Sequence, residues 1–235
     1  MKAHALGIDG CRAGWLYILN DMTTGAVSAG LFLHIDEILA FPAPKTVAAI
    51  DMPIGLTEAG PRACEKSARI LLGRPRSGSV FPVPVREVLG AGSYRQACRI
   101  GKTADGRKVN RQTWNIVPKI REVDAFLGAN HAYRKSVYEA HPELSFLHWN
   151  SGKAMEHSKK TKQGRAERER LVKSFFGARY AAAREGLPRA GWSMDDFLDA
   201  FAALWTALRV ARGEAVGIPV TPQRDCRGLR MQIVS

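Results

Sequence analysis

The 235-residue sequence predicts an α/β fold, one mixed sheet with helices on its faces. Three observations carry that expectation. Three apolar runs follow one another at the start of the chain with only turns between them, which makes a meander of strands. Strand-like and helix-like runs then alternate, the pattern that covers a sheet with helices. The composition, 46% apolar and 24% charged, is that of a globular chain, and the length suits a single enlarged domain over 1–235.

Ala3–Asp9 is a buried strand by its length and apolar content, and it ends in an acid. Gly10 and Gly14 bracket a turn. Trp15–Asn20 and Ala26–Leu33 are the second and third strands, joined by the hairpin loop Asp21–Gly25. Ile35–Ala40 is a short helix ended by Pro42 and Pro44. Thr46–Ile50 is the fourth strand and runs into Asp51, after which Pro53 and Gly55 break the pattern. Residues 56–136 read as a large, basic, helical insertion subdomain, a cap or lid. Within it Arg62–Leu72, Arg86–Ile100 and Asn115–Leu127 have helical spacing, while Gly73–Pro84 and the basic Lys102–Arg111 read as loop. Ser136–Ala140 is the fifth strand and carries Glu139. Lys153–Arg170 is polar and basic, and Val172–Arg184 is a helix. Met194–Val210 is the clearest helix: Phe197, Phe201, Leu204 and Leu208 form one apolar stripe. Beside it Ala200, Ala203 and Ala207 form a stripe of small residues that permits close approach to a sheet.

Charge is the unusual property. Lys and Arg number 35 against 22 acids, a net +13. The excess is concentrated: residues 56–136 carry net +10 and residues 151–190 net +7, while 1–55, 137–150 and 191–235 are acidic or neutral. Basic segments thus flank an acidic centre, which points to a polyanionic partner, nucleic acid above all. No run approaches the ~20 apolar residues that cross a bilayer, so no membrane partner is expected. The apolar run before Asp9 is too short for a signal peptide. The four cysteines form no C-x-x-C pair, which suits a reducing cytoplasm better than a disulfide or zinc scaffold.

Acids recur in similar places: Asp9 ending strand one, Asp51 ending strand four, Glu139 in strand five, and Asp196 with Asp199 on one face of the last helix. If the three strands are neighbours, these acids can converge at one sheet edge. Hard divalent cations such as magnesium take oxygen ligands. Two such ions can stabilise the attacking and leaving oxygens of a phosphoryl displacement. Each acid also has a local reading. Asp9 and Asp51 precede turns, Glu139 suits an ion pair, and Ser193 with Asp196 forms an S-x-x-D capping box. Asp199, one turn further in, has no such local role.

Five segments in order, G-I-D-G-C-R-A-G-W from Gly7, I-D-M-P-I-G-L from Ile50, V-F-P-V-P from Val80, Y-E-A-H-P-E from Tyr138 and D-D-F-L-D-A from Asp195, cover nearly the whole chain. In them the sequence resembles domain-of-unknown-function family 429, the predicted ribonuclease-H-like nucleases. The resemblance implies a ribonuclease-H-like fold, a five-stranded mixed sheet whose first three strands are antiparallel. It implies a site with acids on strand one, strand four and the last helix holding two magnesium or manganese ions. Asp9, Asp51 and the Asp196/Asp199 pair occupy those places. The D-x-x-D-A spacing is similar to the last-helix motif of Holliday-junction resolvases. Two departures stand out: resolvases usually end strand four in Glu, here Asp51, and they lack the large basic insertion.

The resulting expectation is a metal-dependent nuclease acting on DNA or RNA. Asp9 bridges two ions, Asp51 and Asp199 complete the metal shell, and Glu139 or Asp196 assists. Arg12, Arg62, Arg69, Arg76, Arg86 and Ser79 are the candidate phosphate ligands, since a guanidinium can clamp a phosphate with two parallel bonds. Arg74 borders the same loop. His141 reads as a structural histidine or a proton shuttle, and Tyr94 and Trp114 as core or base-stacking aromatics. Two other readings stay open: a nucleic-acid-binding protein with an inactive or regulatory site, and a phosphoryl-transfer enzyme acting on a small anionic metabolite. Oligomeric state is open, a homodimer included.

Overall fold

The computed structural model of the protein describes residues 3–40 and 46–235. The helix-ending role expected of Pro42 and Pro44 lies outside the described residues. Strands β1 (His4–Cys11), β2 (Gly14–Asp21) and β3 (Val27–Phe32) form an antiparallel meander. Helix α1 (Ile35–Ala40) leads to β4 (Thr46–Ile50), which runs parallel to β1. Helices α2 (Ala63–Leu72), α3 (Tyr94–Asp105) and α4 (Arg111–Ala129) precede β5 (Val137–Ala140), parallel to β4. Then come α5 (Pro142–Trp149), α6 (Lys162–Phe176), α7 (Ala178–Glu185) and α8 (Met194–Arg212). The hairpin β6 (Gly217–Arg224) and β7 (Arg230–Val234) closes the chain.

The sheet has seven strands, in the order β3-β2-β1-β4-β5-β7-β6, where five are expected. β7 extends the sheet beside β5 in parallel, and β6 is its edge. The sequence hides this pair for a physical reason. β6 carries Pro219 and Pro222 and buries little, so it shows no alternation; proline is tolerated on an edge strand. β7 is five residues long and buried at four of them, a run too short to distinguish strand from helix end.

Side chains alternate across the sheet and feed two cores. Ala5, Leu16, Val47 and Ala49 pack with α5 to α8 on one face. Leu6, Ile8, Trp15, Ala48 and Ile50 pack with α1 and with Ile120, Val123 and Leu127 of α4 on the other. The stretch 56–136 therefore supplies a helix of the main core, while α3 with its flanking turns encloses a small cluster around Val88, Ala97 and Val117.

Helix boundaries depart from expectation where glycine and capping residues act. The segment Arg86–Ile100 is a 3₁₀ turn over Arg86–Gly90, then a break, then α3 capped by Ser93, whose side chain accepts from Gln96 N. α3 runs to Asp105, into the expected loop, and stops at Gly106 in the left-handed region. The expected helix Val172–Arg184 is two helices divided at Gly177, and α6 starts as early as Lys162 because Thr161 caps it. Among the described residues no helix is long and apolar enough to cross a membrane, and all four cysteines are free.

Candidate active site

Strand parity decides which acids meet. Side chains alternate faces along a strand. Asp9 is the register partner of Leu16 and so shares its face, the one covered by α8. Asp51 follows Ile50, which packs on the other face, and its amide continues the ladder to Ile8 O at 3.0 Å. Asp51 therefore joins Asp9. Gly7 lets α8 approach: a Cβ there would lie 2.2 Å from Ala200 O and from Leu204 N. That close seat brings Asp199, only 3% exposed, to the same strand ends. Asp196, one turn earlier, forms the capping box: its N–H donates to Ser193 Oγ and its carboxylate accepts the Ser193 N–H at 2.7 Å.

These four acids line one cavity of about 290 Å³. Glu143 and His141, from the start of α5, and two cations, Lys119 of α4 and Lys159 of the turn before α6, share it. Met52, Phe81, Val83 and Ile116 contribute an apolar part of the lining. Burial pushes the Asp9 carboxyl well above the usual range, and the charges of Asp51 and Asp199 add to it. Burial and the Asp199 charge push Asp51 up to about 7. Burial raises Asp196 as well, against the opposing pull of its Ser193 hydrogen bonds. Lys159 Nζ donates to Asp199 Oδ2. Burial alone would lower its pKa, but Asp199, Asp51 and Asp9 together hold the ammonium above its ordinary value. Lys119 Nζ donates to Gly14 O and stands 4.5 Å from the centre of the Trp15 ring.

Two buried polar atoms in the cavity's lining residues have no hydrogen-bond partner: Glu143 Oε2 and His141 Nδ1. The other oxygen of Glu143 accepts from Arg168 Nη2 at 2.6 Å. Burial pushes His141 down to about 4, so its ring is neutral at pH 7. Its Nε2 lies 3.4 Å from Ser79 O, and a carbonyl can only accept, so Nδ1 carries the lone pair. Among the described residues no three His, Cys, Asp or Glu side chains are drawn together into a ready-made metal-ligating group.

Glu139 is placed differently. It is the register partner of Ile50, so its carboxylate points away from the face of Asp9. Arg62, 2% exposed, holds it through two bonds of 2.8 and 2.7 Å, and Ile54 N–H donates to it at 2.8 Å. The same guanidinium donates to Ile54 O and Gly55 O and pairs with Glu65. Glu139 and Arg62 border the cavity, yet they saturate each other and fasten the turn that follows Asp51.

Of the residues expected to bind phosphate, Arg62 and Ser79 border the cavity, while Arg12, Arg69, Arg76 and Arg86 do not. Arg86 is engaged by Asp124 and Asp225. Arg69 Nε donates to Val80 O at 3.0 Å, and Ser79 Oγ donates to Arg76 O at 2.7 Å. Arg12 and Arg74 are exposed. Tyr94 and Trp114 pack on each other, ring centres 6.2 Å apart. The sequence reading did not single out Glu143, Lys119 or Lys159. Glu143 had a signal, an acid in the otherwise apolar start of α5. Lys159 had none: it is one of several lysines in a polar run.

A family model described as Protein of unknown function (DUF429) matches residues 7–224. No curated protein and no solved structure matches the chain.

Proposed function

We propose, for a chain that belongs to the DUF429 family, a ribonuclease-H-like fold and the function of a metal-dependent nuclease hydrolysing phosphodiester bonds of DNA or RNA. The observation that carries this reading is the meeting of Asp9, Asp51 and Asp199 in one cavity on one face of the sheet. The antiparallel first three strands, followed by parallel β4 and β5, support the fold.

The donor chemistry fits a magnesium or manganese ion, and the acids, which among the described residues are not already drawn together as a ligating group, would have to close around it. Asp9, Asp51 and Asp199 would hold it, since hard cations take oxygen ligands. Glu143 Oε2, buried and lacking a donor, is a further oxygen that protein groups leave unsatisfied. When bound, the ion supplies Lewis-acid polarisation and a more acidic water. The chain itself does the rest. Asp9 and Asp51 must ionise, which their burial and the neighbouring negative charges oppose until a cation arrives. Lys119 and Lys159 supply positive charge toward phosphate oxygens. His141 Nδ1, an acceptor, orients a hydroxyl or water. Met52, Phe81, Val83 and Ile116 limit bulk water and offer a surface on which a base can stack. The net +13 favours a polyanionic substrate. The free cysteines suit the cytoplasmic setting included in the proposal.

The test is a panel of labelled single-stranded, duplex and branched DNA and RNA, with magnesium, manganese or chelator. The expected result is cleavage with metal and none with chelator, and binding that weakens steeply as salt rises. Absence of cleavage and binding across the panel, with turnover of a small phosphorylated metabolite instead, would replace this reading with phosphoryl transfer.

A further inference from the structure

Of the two cations in the carboxylate cavity, one is bound to its acids. Lys159 Nζ sits on Asp199 Oδ2, and no residue of the sheet carries it. It comes from the turn before α6, and that turn is braced on both sides. Glu167 accepts the N–H groups of Glu156 and His157 at 2.8 and 3.1 Å. Ser158 O accepts Thr161 N–H at 2.9 Å and its hydroxyl at 2.8 Å. Gly164 presses against the same carbonyl so closely that a Cβ would lie 2.0 Å from it. Arg168, 1% exposed, donates to His157 O at 3.1 Å and to Gly164 O at 2.8 Å, and its other nitrogen holds Glu143. One buried guanidinium therefore fixes both the lysine's turn and the acid whose second oxygen is unpartnered in the cavity. The backbone that carries Lys159 is thus fixed, and its side chain ends on Asp199.

We propose that Lys159 is a permanent member of the active site that takes the place of a second metal ion, so that the protein binds one divalent cation per chain where the sequence analysis expects two. This inference rests on the nuclease reading above. The charges agree with it: with Glu143 matched by Arg168, the cavity's four aspartates less its two ammoniums leave two negative charges, those of a single divalent ion. Glu143 Oε2, buried and without a donor, is a further oxygen that could serve that ion. Lys159 performs no proton transfer. It stays protonated and donates hydrogen bonds to Asp199 and to a phosphate oxygen. Meanwhile water oxygen bonds to phosphorus, the bond from phosphorus to the leaving oxygen breaks, and the proton released by the water is taken up by solvent or by the leaving oxygen.

The experiment counts ions rather than turnover. Manganese binding to the full chain is measured by equilibrium dialysis and calorimetry for wild type, Lys159→Met and Lys159→Arg. The expected result is one ion for wild type and for Lys159→Arg, and two for Lys159→Met. Two ions in wild type would overturn the inference while leaving the nuclease reading in place. One ion in Lys159→Met, with its circular dichroism unchanged, would also overturn it. No ion in any of the three would overturn the metal-dependent reading together with it. Should Lys159→Met not fold, the wild-type count alone decides.

Discussion

Ile50 and Glu139 are register partners on neighbouring parallel strands, and Asp51 is the next residue after Ile50. That single step separates two regions of buried acid. On one side Glu139 is clamped by the Ile54 amide and by Arg62, whose guanidinium is shared with Glu65. On the other, Asp51 meets Asp9 and Asp199, and the one ammonium bonded to the group sits on Asp199. Both regions contain carboxylates at strand ends, and both border the same cavity. They differ in what neutralises them. The Glu139 group is closed, with both of its carboxylate oxygens accepting hydrogen bonds from protein donors. The Asp51 group is short of positive charge and leaves Glu143 Oε2 without a donor. A buried acid that the protein satisfies fixes a turn, while a buried acid that it does not satisfy awaits a ligand.

Substitution separates the two most sharply in stability. Glu139→Ala leaves Arg62 with one carboxylate partner and the Ile54 N–H with none. Removing one member of a buried ion pair costs about 3–5 kcal/mol, and the expected outcome is a fall of that size in denaturant-measured stability. A change below about 1 kcal/mol would mean that the cluster is solvated and the contrast false.

Asp51→Asn has the opposite sign, and pH sharpens it. Asp51 is raised from 3.8 to about 7 in the folded chain by burial and the Asp199 charge. A raised carboxyl contributes fully to stability below its unfolded value and loses that contribution as pH climbs through the folded one. The metal-free wild type therefore weakens between about pH 4 and pH 7, with Asp9 acting in the same direction. His141 acts oppositely, since it is lowered to about 4 and loses its contribution as pH falls. Comparison of wild type with Asp51→Asn cancels the histidine. The expected outcome is a variant more stable than wild type by on the order of 4 kcal/mol at pH 8, with the difference fading toward pH 4. A difference independent of pH would mean that Asp51 is an ordinary solvated turn acid.

The comparison also marks what the sequence could show. The early strands, α1, β4 and the long α8 are legible because each carries a clean period, and the alanine stripe of α8 foretells its seat on Gly7. The placement of Asp9, Asp51 and Asp199 is legible because it follows from strand ends and helix spacing. The face of Glu139 is not, because parity within β5 is readable but its register against β4 is set by the fold. Arg62 and Arg86 look like phosphate clamps in sequence because an arginine shows no sign of the carboxylate it will meet. Arg62 finds Glu139, 77 positions away, and Arg86 finds Asp225, 139 positions away. Lys159 is invisible for the same reason, since its partner is on a different element and its neighbours are equally basic.

The most direct measurement is the melting temperature of the full chain with and without manganese, for wild type and for Asp9→Asn. Binding to the folded state alone raises stability with ion concentration. The account predicts a concentration-dependent rise for wild type, no rise for Asp9→Asn, and a metal-free Asp9→Asn at least as stable as wild type. A wild type indifferent to the ion, or an Asp9→Asn that is strongly destabilised without metal, would contradict it.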